Sequence, residues 1–202
     1  MKHSRRMDLP NTETLKSELK REMHRKRFGQ TLRSTVYTLI VVAAVAILLA
    51  TLLMPVYRVY GTSMTPTLGE GEVVVALKSS KFTLGDVVAL WYNNKLLVKR
   101  VIAGPGQWVD IDADGNVYVD GQLLDEPYVT DKAFGDCNLS LPYQVADGRF
   151  FVMGDHRSTS QDSRNTAVGC IAEEQIVGRI VFRIWPFDHI GTMAFNEVAH
   201  ES

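Results

Sequence analysis

Val36-Tyr-Thr-Leu-Ile-Val-Val-Ala-Ala-Val-Ala-Ile-Leu-Leu-Ala-Thr-Leu-Leu-Met54 is a run of nineteen residues without a single charge. As an α-helix it is about 28 Å long, close to the hydrocarbon thickness of a bilayer. A helix packed on the core of a soluble domain of this size would keep a polar face, and this stretch has none. A cleavable secretory signal has an apolar core of about 7–15 residues after a short basic region. Here the preceding basic region exceeds thirty residues. The small-x-small tripeptides that a cleavage site needs fall inside the run, not after it. The stretch therefore reads as an uncleaved membrane anchor, placed at residues 35–55.

The charge on either side is lopsided. Of 202 residues with a net charge of −1, Met1–Ser34 holds ten Lys or Arg against four Asp or Glu. Pro55–Ser202 holds twelve against nineteen. Arg21, Arg25, Lys26, Arg27 and Arg33 precede the span, and Arg58 alone follows it closely. Basic flanks stay in the cytoplasm, so residues 1–34 are expected inside and residues 56–202 outside. Leu15, Leu19 and Met23 recur at helical spacing, which leaves two readings of Thr12–Arg27: a basic helix on the inner leaflet or, in preference, a solvated tail. The acidic outer part has no basic stripe, which excludes a nucleic-acid binder. Two cysteines, Cys137 and Cys170, exclude a disulfide-stapled miniprotein and a Cys-rich zinc module. An external location permits a Cys137–Cys170 bridge, although the two need not meet in space. Cys170 can equally pack as a small apolar residue.

Beyond the span the pattern changes to short β-type runs at Val56–Tyr60, Glu72–Leu77, Asp86–Trp91, Lys95–Ala103, Gln107–Ile111, Asn116–Val119, Arg149–Met153 and Ile176–Trp185. Turn signals such as Asn93-Asn94, Asp114-Gly115 and Asp120-Gly121 separate them. This predicts a mainly β, antiparallel sheet or barrel-like domain. Asn138–Asp147 is less patterned and reads as a surface excursion. Asp110-Ile-Asp112-Ala-Asp114-Gly115 imitates the start of a calcium loop, but its twelfth position is Gly121 instead of a bidentate Glu, so a hairpin turn is expected. Asp125 and Glu126, ahead of Pro127, read as exposed turn acids. No HExxH, CxxC pair or P-loop occurs, and neither a metal nor a cofactor is expected.

Three stretches are unusual, and each has a structural reading beside a chemical one: a plain turn, an edge strand carrying Lys against aggregation, and a solvent loop. Gly61-Thr-Ser63-Met-Thr-Pro66-Thr-Leu68 is a tight turn rich in small residues. In Leu96-Leu-Val-Lys-Arg-Val-Ile102, Lys99 shares a strand face with Leu97 and Val101. Desolvation there would lower its pKa, and a second cation at Arg100 would help. Arg100 has equally apolar neighbours on the other face, so periodicity does not choose between the two cations. The third stretch, Gly154-Asp-His-Arg-Ser-Thr-Ser160-Gln-Asp162-Ser-Arg164, is a hydroxyl-rich loop leaving an apolar strand. His3 and His24 fall on the cytoplasmic side and His200 in the tail. His156 and His189 remain as bases for a Ser-His-Asp arrangement, and spacing singles out neither.

In this order, behind an N-terminal span, the segments resemble the type I signal peptidases, membrane-anchored serine–lysine proteases. The Ser63 turn is similar to that family's S-M-x-P-T-L box, and Val73–Lys78 with Gly85–Leu90 to its next strand box. Val98–Gly104 is similar to its lysine box, and Gly154–Arg164 to its G-D-N-R-x-x-S-x-D-S-R box. The resemblance implies Ser63 as nucleophile, Lys99 as general base and Ser160 as the hydroxyl orienting Lys99. It implies that Asp162 with Arg164, and Asp155 with Arg100, are ion pairs bracing the site. The implied fold is a β catalytic domain with a small inserted β region within residues 107–148. Implied substrates are exported preproteins with small residues directly before, and third before, the cut. Apolar residues near Met64 would keep the site close to the bilayer. His156 stands where the family usually has Asn. Gly61 lacks the hydroxyl that some members place in the oxyanion hole, so the Ser63 N–H would carry more of that task. A self-cleaving repressor with Ser–Lys chemistry would need a DNA-binding domain in place of the span. A membrane-tethered β adaptor without activity is the alternative from another class, which Ser63 and Lys99 in one pocket would count against.

Overall fold

The computed structural model describes residues 12–79 and 81–193. His3, His200 and the remainder of both termini lie outside them. The chain divides into a helical unit up to Thr51 and a β unit from Leu52 onward.

Helix α1 (Thr12–Leu53) is one uninterrupted 42-residue helix. Thr12–Arg27, for which a solvated tail is the preferred reading of the sequence over a basic helix, is helical. Its Glu, Lys, Arg, Leu and Met are good helix formers, and no proline interrupts it. From Val36 to Leu53 large apolar side chains including Leu39, Ile40, Val42, Ile47, Leu48 and Leu52 are exposed. The helix is long and apolar enough to cross a membrane. An apolar surface of this extent on a protein needs a covering, and a bilayer supplies one.

Among the described residues the β unit holds twelve strands: β1 (Val56–Arg58), β2 (Val73–Leu77), β3 (Val87–Tyr92), β4 (Lys95–Ala103), β5 (Trp108–Ile111), β6 (Val117–Val119), β7 (Gln122–Leu123), β8 (Tyr143–Gln144), β9 (Arg149–Met153), β10 (Ile171–Ala172), β11 (Ile176–Trp185) and β12 (Gly191–Thr192). Each of the eight runs expected from sequence contains a strand. The four strands not foreseen, β7, β8, β10 and β12, are two residues each, too short to show a period. All pairings are antiparallel. One sheet runs β1-β2-β11-β3-β4-β9-β10, with β12 beside β11, and a smaller one runs β7-β6-β5-β8. The β3–β4 hairpin turns through Asn93 and Asn94, both at positive φ (45° and 60°), which a two-residue turn between twisted strands requires.

Three apolar clusters fill the unit. Val59, Met64, Leu68, Val74, Val87, Ala89 and Ile180 form one. Val88, Leu90, Val101, Phe150, Val152, Ile171 and Ile176 form the second. The third holds Ile102, Val109, Ile111, Val117, Phe151, Met153 and Cys170. Asn138–Asp147 is no surface excursion: Val145 is buried in the third cluster, and Leu139, Leu141 and Tyr143 pack against it. Every second residue from 139 to 145 turns inward, although only Tyr143–Gln144 (β8) pairs as a strand. Both thiols are free, with Cys170 packed in the core and Cys137 half-buried.

Candidate active site

The site begins with the period of β4. Adjacent strand residues point to opposite faces, so Lys99 and Arg100 face different surroundings. Arg100 lies against Asp155: Nε donates to Oδ1 at 2.8 Å and a terminal nitrogen to Oδ2 at 2.6 Å. It also donates to the Gly85 carbonyl and stacks 3.7 Å above the Tyr128 ring. Lys99, only 4% exposed, faces two hydroxyls. Its Nζ lies 2.8 Å from Ser63 Oγ and 2.9 Å from Ser160 Oγ. The choice between two cations that periodicity left open is thus made by what approaches each face.

Ser63 arrives on a turn closed by Thr65 N–H donating to Thr62 O (3.1 Å) and continued by Leu68 N–H donating to Met64 O (2.9 Å). Met64 and Leu68 are fully buried and anchor that turn in the first cluster. Met64 and Leu68 are spent on the core, which leaves Ser63 half-buried at its rim. Thr67 Oγ1 donates to Asp155 Oδ2, so the carboxylate that holds Arg100 also holds the Ser63 turn.

Gly154–Arg164 closes the other side. The Gly154 N–H donates to Asp162 Oδ2 at 3.0 Å. Arg164 grips Asp162 with two bonds of 2.8 and 2.9 Å and reaches the carbonyls of Ala133, Phe134 and Arg157. Ser160, 3% exposed, accepts from Lys99. Its hydroxyl also helps to hold the Asp162 carboxyl down, so the polar groups follow in the order Ser63, Lys99, Ser160, Asp162. A side chain at Gly154 would collide with Ser160 and with the Ser63 carbonyl, so a close approach requires glycine there.

Burial is the main influence on the Lys99 amine and lowers its pKa from 10.5 to about 8. Asp162 and Asp155 pull it up, and the Arg164 charge pushes it down. The helping cation is thus Arg164 and not Arg100, whose charge is turned to the opposite face of β4. Burial alone would raise the Asp162 carboxyl; the Arg164 guanidinium, the Ser160 hydroxyl and the Gly154 N–H outweigh it and hold it below its ordinary value. The carboxylate that the amine sees through Ser160 is therefore ionised.

Sequence reasoning missed a third buried ion pair. Glu126 is no exposed turn acid; it is 5% exposed and pairs through both oxygens with Arg157, whose Nε also donates to the Gly154 carbonyl. The partners are 31 positions apart, and neither strand period nor turn chemistry links them. His156 Nδ1 lies 3.2 Å from Thr65 Oγ1. His189 is exposed beside Asp188. Asp112 receives the N–H groups of Asp114 and Asn116, closing the β5–β6 hairpin in place of a calcium loop. Among the described residues no group of three or more His, Cys, Asp or Glu is placed to hold a metal ion.

A hydroxyl in contact with a buried amine of lowered pKa, oriented by a second hydroxyl, is the arrangement of an activated nucleophile. Residues 32–185 match the family model described as signal peptidase, peptidase S26. The chain is 34% identical over 171 residues to the signal peptidase I of Bacillus licheniformis, covering 77% of this chain and 89% of that one. It is 40% identical over 152 residues to the signal peptidase IB of Staphylococcus aureus strain COL, covering 65% and 78%. A solved signal peptidase I from Enterococcus faecalis V583 overlaps 49% of this chain and 96% of that chain, with 26% identity and a TM-score of 0.41.

Proposed function

The chain belongs to the signal peptidase, peptidase S26 family, and on that premise we propose that it is a membrane-bound endopeptidase that removes signal peptides from exported preproteins, with Ser63 as nucleophile and Lys99 as general base. The observation that carries the reading is the 2.8 Å separation of Lys99 Nζ from Ser63 Oγ in a buried setting. The amine's partners there are hydroxyls, so a lone pair is available once its proton is lost.

With a pKa of about 8, roughly a tenth of the Lys99 side chain is neutral at pH 7. An ordinary lysine is neutral in roughly one molecule in 2,500. Ser160 accepts one amine N–H, which turns the amine lone pair to Ser63. Lys99 takes the Ser63 proton as Oγ attacks the scissile carbonyl, and the Ser63 backbone N–H meets the developing oxyanion. The ammonium protonates the departing amine, leaving an acyl-enzyme on Ser63. Lys99 then deprotonates a water that hydrolyses the ester.

The residues 35–55 span holds the peptidase in the bilayer, residues 1–34 lie in the cytoplasm, and the catalytic domain, residues 56–202, lies outside with residues 107–148 including its inserted β region. Substrates carry small residues directly before, and third before, the cut. The test is preprotein cleavage by Ser63→Ala and Lys99→Arg in the full-length protein. Both should fold and both should lose cleavage, because a guanidinium does not release its proton here. Near-normal turnover by Lys99→Arg would overturn the assignment of the base.

A further inference from the structure

We propose that His156 is a positioning residue for the Ser63 turn, its Nδ1–H donating to Thr65. The inference rests on the reading of Ser63 as nucleophile and adds a residue to it.

Three contacts place His156. Its backbone N–H donates to the Ser63 carbonyl at 3.1 Å, and its carbonyl accepts the Ser160 N–H at 3.1 Å. One residue thus bridges the backbones that carry the two hydroxyls flanking Lys99. The third contact is the side chain, Nδ1 at 3.2 Å from Thr65 Oγ1. The direction of that bond follows from proton counting. The Thr65 hydroxyl has one proton, and it goes to the Thr62 carbonyl at 2.8 Å. Oγ1 can therefore only accept from the ring, so Nδ1 carries the hydrogen. Nδ1 is then spent on the turn and unavailable as a base toward Ser63, whose Oγ contacts Lys99.

The effect is on the turn that presents Ser63. Thr62–Thr65 is closed by its own bonds, and the imidazole ties its last residue to the loop carrying Ser160. A neutral hydrogen bond of this kind is worth roughly two- to thirteenfold in rate when it acts on the reacting geometry. The side-chain tie can be removed while both backbone ties remain, which makes the role testable without dismantling the loop.

The experiment measures kcat and KM for preprotein cleavage by the full-length protein in detergent micelles, with thermal unfolding alongside. His156→Ala should lower kcat about five- to tenfold and leave KM within twofold. Thr65→Val, which removes the acceptor, should lose a similar factor. The double variant should be no slower than the slower single variant, because both remove the same bond. His156→Asn, whose Nδ2 can donate from nearly the same position, should recover most of the loss. Unchanged kcat in His156→Ala, multiplying losses in the double variant, or no recovery with Asn would each overturn the proposal. Should His156→Ala fail to fold, Thr65→Val and His156→Asn carry the test. Ser63→Ala run in parallel separates the two readings: activity there sinks the nucleophile assignment, whereas its loss with a wild-type His156→Ala sinks only the role of His156.

Discussion

Gly154→Ala is the change for which the structure makes the sharpest demand. Gly154 does not occupy the left-handed region, so backbone strain is not the issue. A Cβ there would stand 2.7 Å from Ser160 Cβ, and closer still to Ser160 Oγ and Ser63 O. Ordinary contact begins near 3.4 Å, so Ser160 must withdraw by about 0.7 Å at its Cβ and the two oxygens by more. Ser63 and Ser160 sit 2.8 and 2.9 Å from Lys99, and a displacement of about 1 Å takes either bond beyond hydrogen-bond range. Misplacement of that size costs about 10²-fold in rate. Overpacking costs about 1–3 kcal/mol, which leaves the domain folded. Single-turnover cleavage of a preprotein, with circular dichroism and thermal unfolding as the fold control, measures both. A folded Gly154→Ala enzyme within threefold of wild-type turnover would refute the claim that Ser63, Gly154 and Ser160 are packed at contact.

Lys99→Met should change the pH dependence of stability. The folded-state pKa of Lys99, about 8, lies below its ordinary 10.5, so between those values the unfolded chain binds a proton that the folded chain does not. Wild-type stability therefore gains about 3 kcal/mol as pH rises through that window, and Lys99→Met lacks the gain. Denaturant unfolding in micelles followed by tryptophan fluorescence should show the stability advantage of Lys99→Met shrinking by that amount from pH 7 to 10.5; a constant gap would contradict it. Glu126→Ala leaves the buried Arg157 uncompensated and should cost about 3–5 kcal/mol, read as a lowered unfolding midpoint; a loss under about 1 kcal/mol would show the pair to be incidental. Protease added to intact spheroplasts should digest the domain after the span, and protection until lysis would reverse the orientation.

The sequence disclosed the β domain through features that need no tertiary contact. The span is legible because nineteen successive residues lack charge, and the longer strands because their apolar runs end at Gly, Asn or Asp turns. Two-residue strands carry no period and were invisible. In Asn138–Asp147 the inward residues Leu139, Leu141, Tyr143 and Val145 do alternate, but only Tyr143–Gln144 pairs as a strand, so the burial of the segment is set by tertiary packing. At the site, the resemblance of four boxes, in order behind a span, to the type I signal peptidases brought Ser63, Lys99, Arg100, Asp155, Ser160, Asp162 and Arg164 into consideration. What each touches depends on which face of β4 the Ser63 turn covers, a long-range fact that residue spacing does not contain. The Glu126–Arg157 pair shows the same limit, since burial turned an apparent surface acid into the counterion of a loop 31 positions away.

The central claim is that a neutral Lys99 amine takes the Ser63 proton, and the pH dependence of kcat/KM for preprotein cleavage tests it most directly. Measured from pH 6 to 10 in the full-length protein, the profile should rise on a single ionisation with its midpoint near 8, because the base acts only when deprotonated. A rising limb centred near the histidine value of about 6.5, or a profile flat across the range, would contradict it.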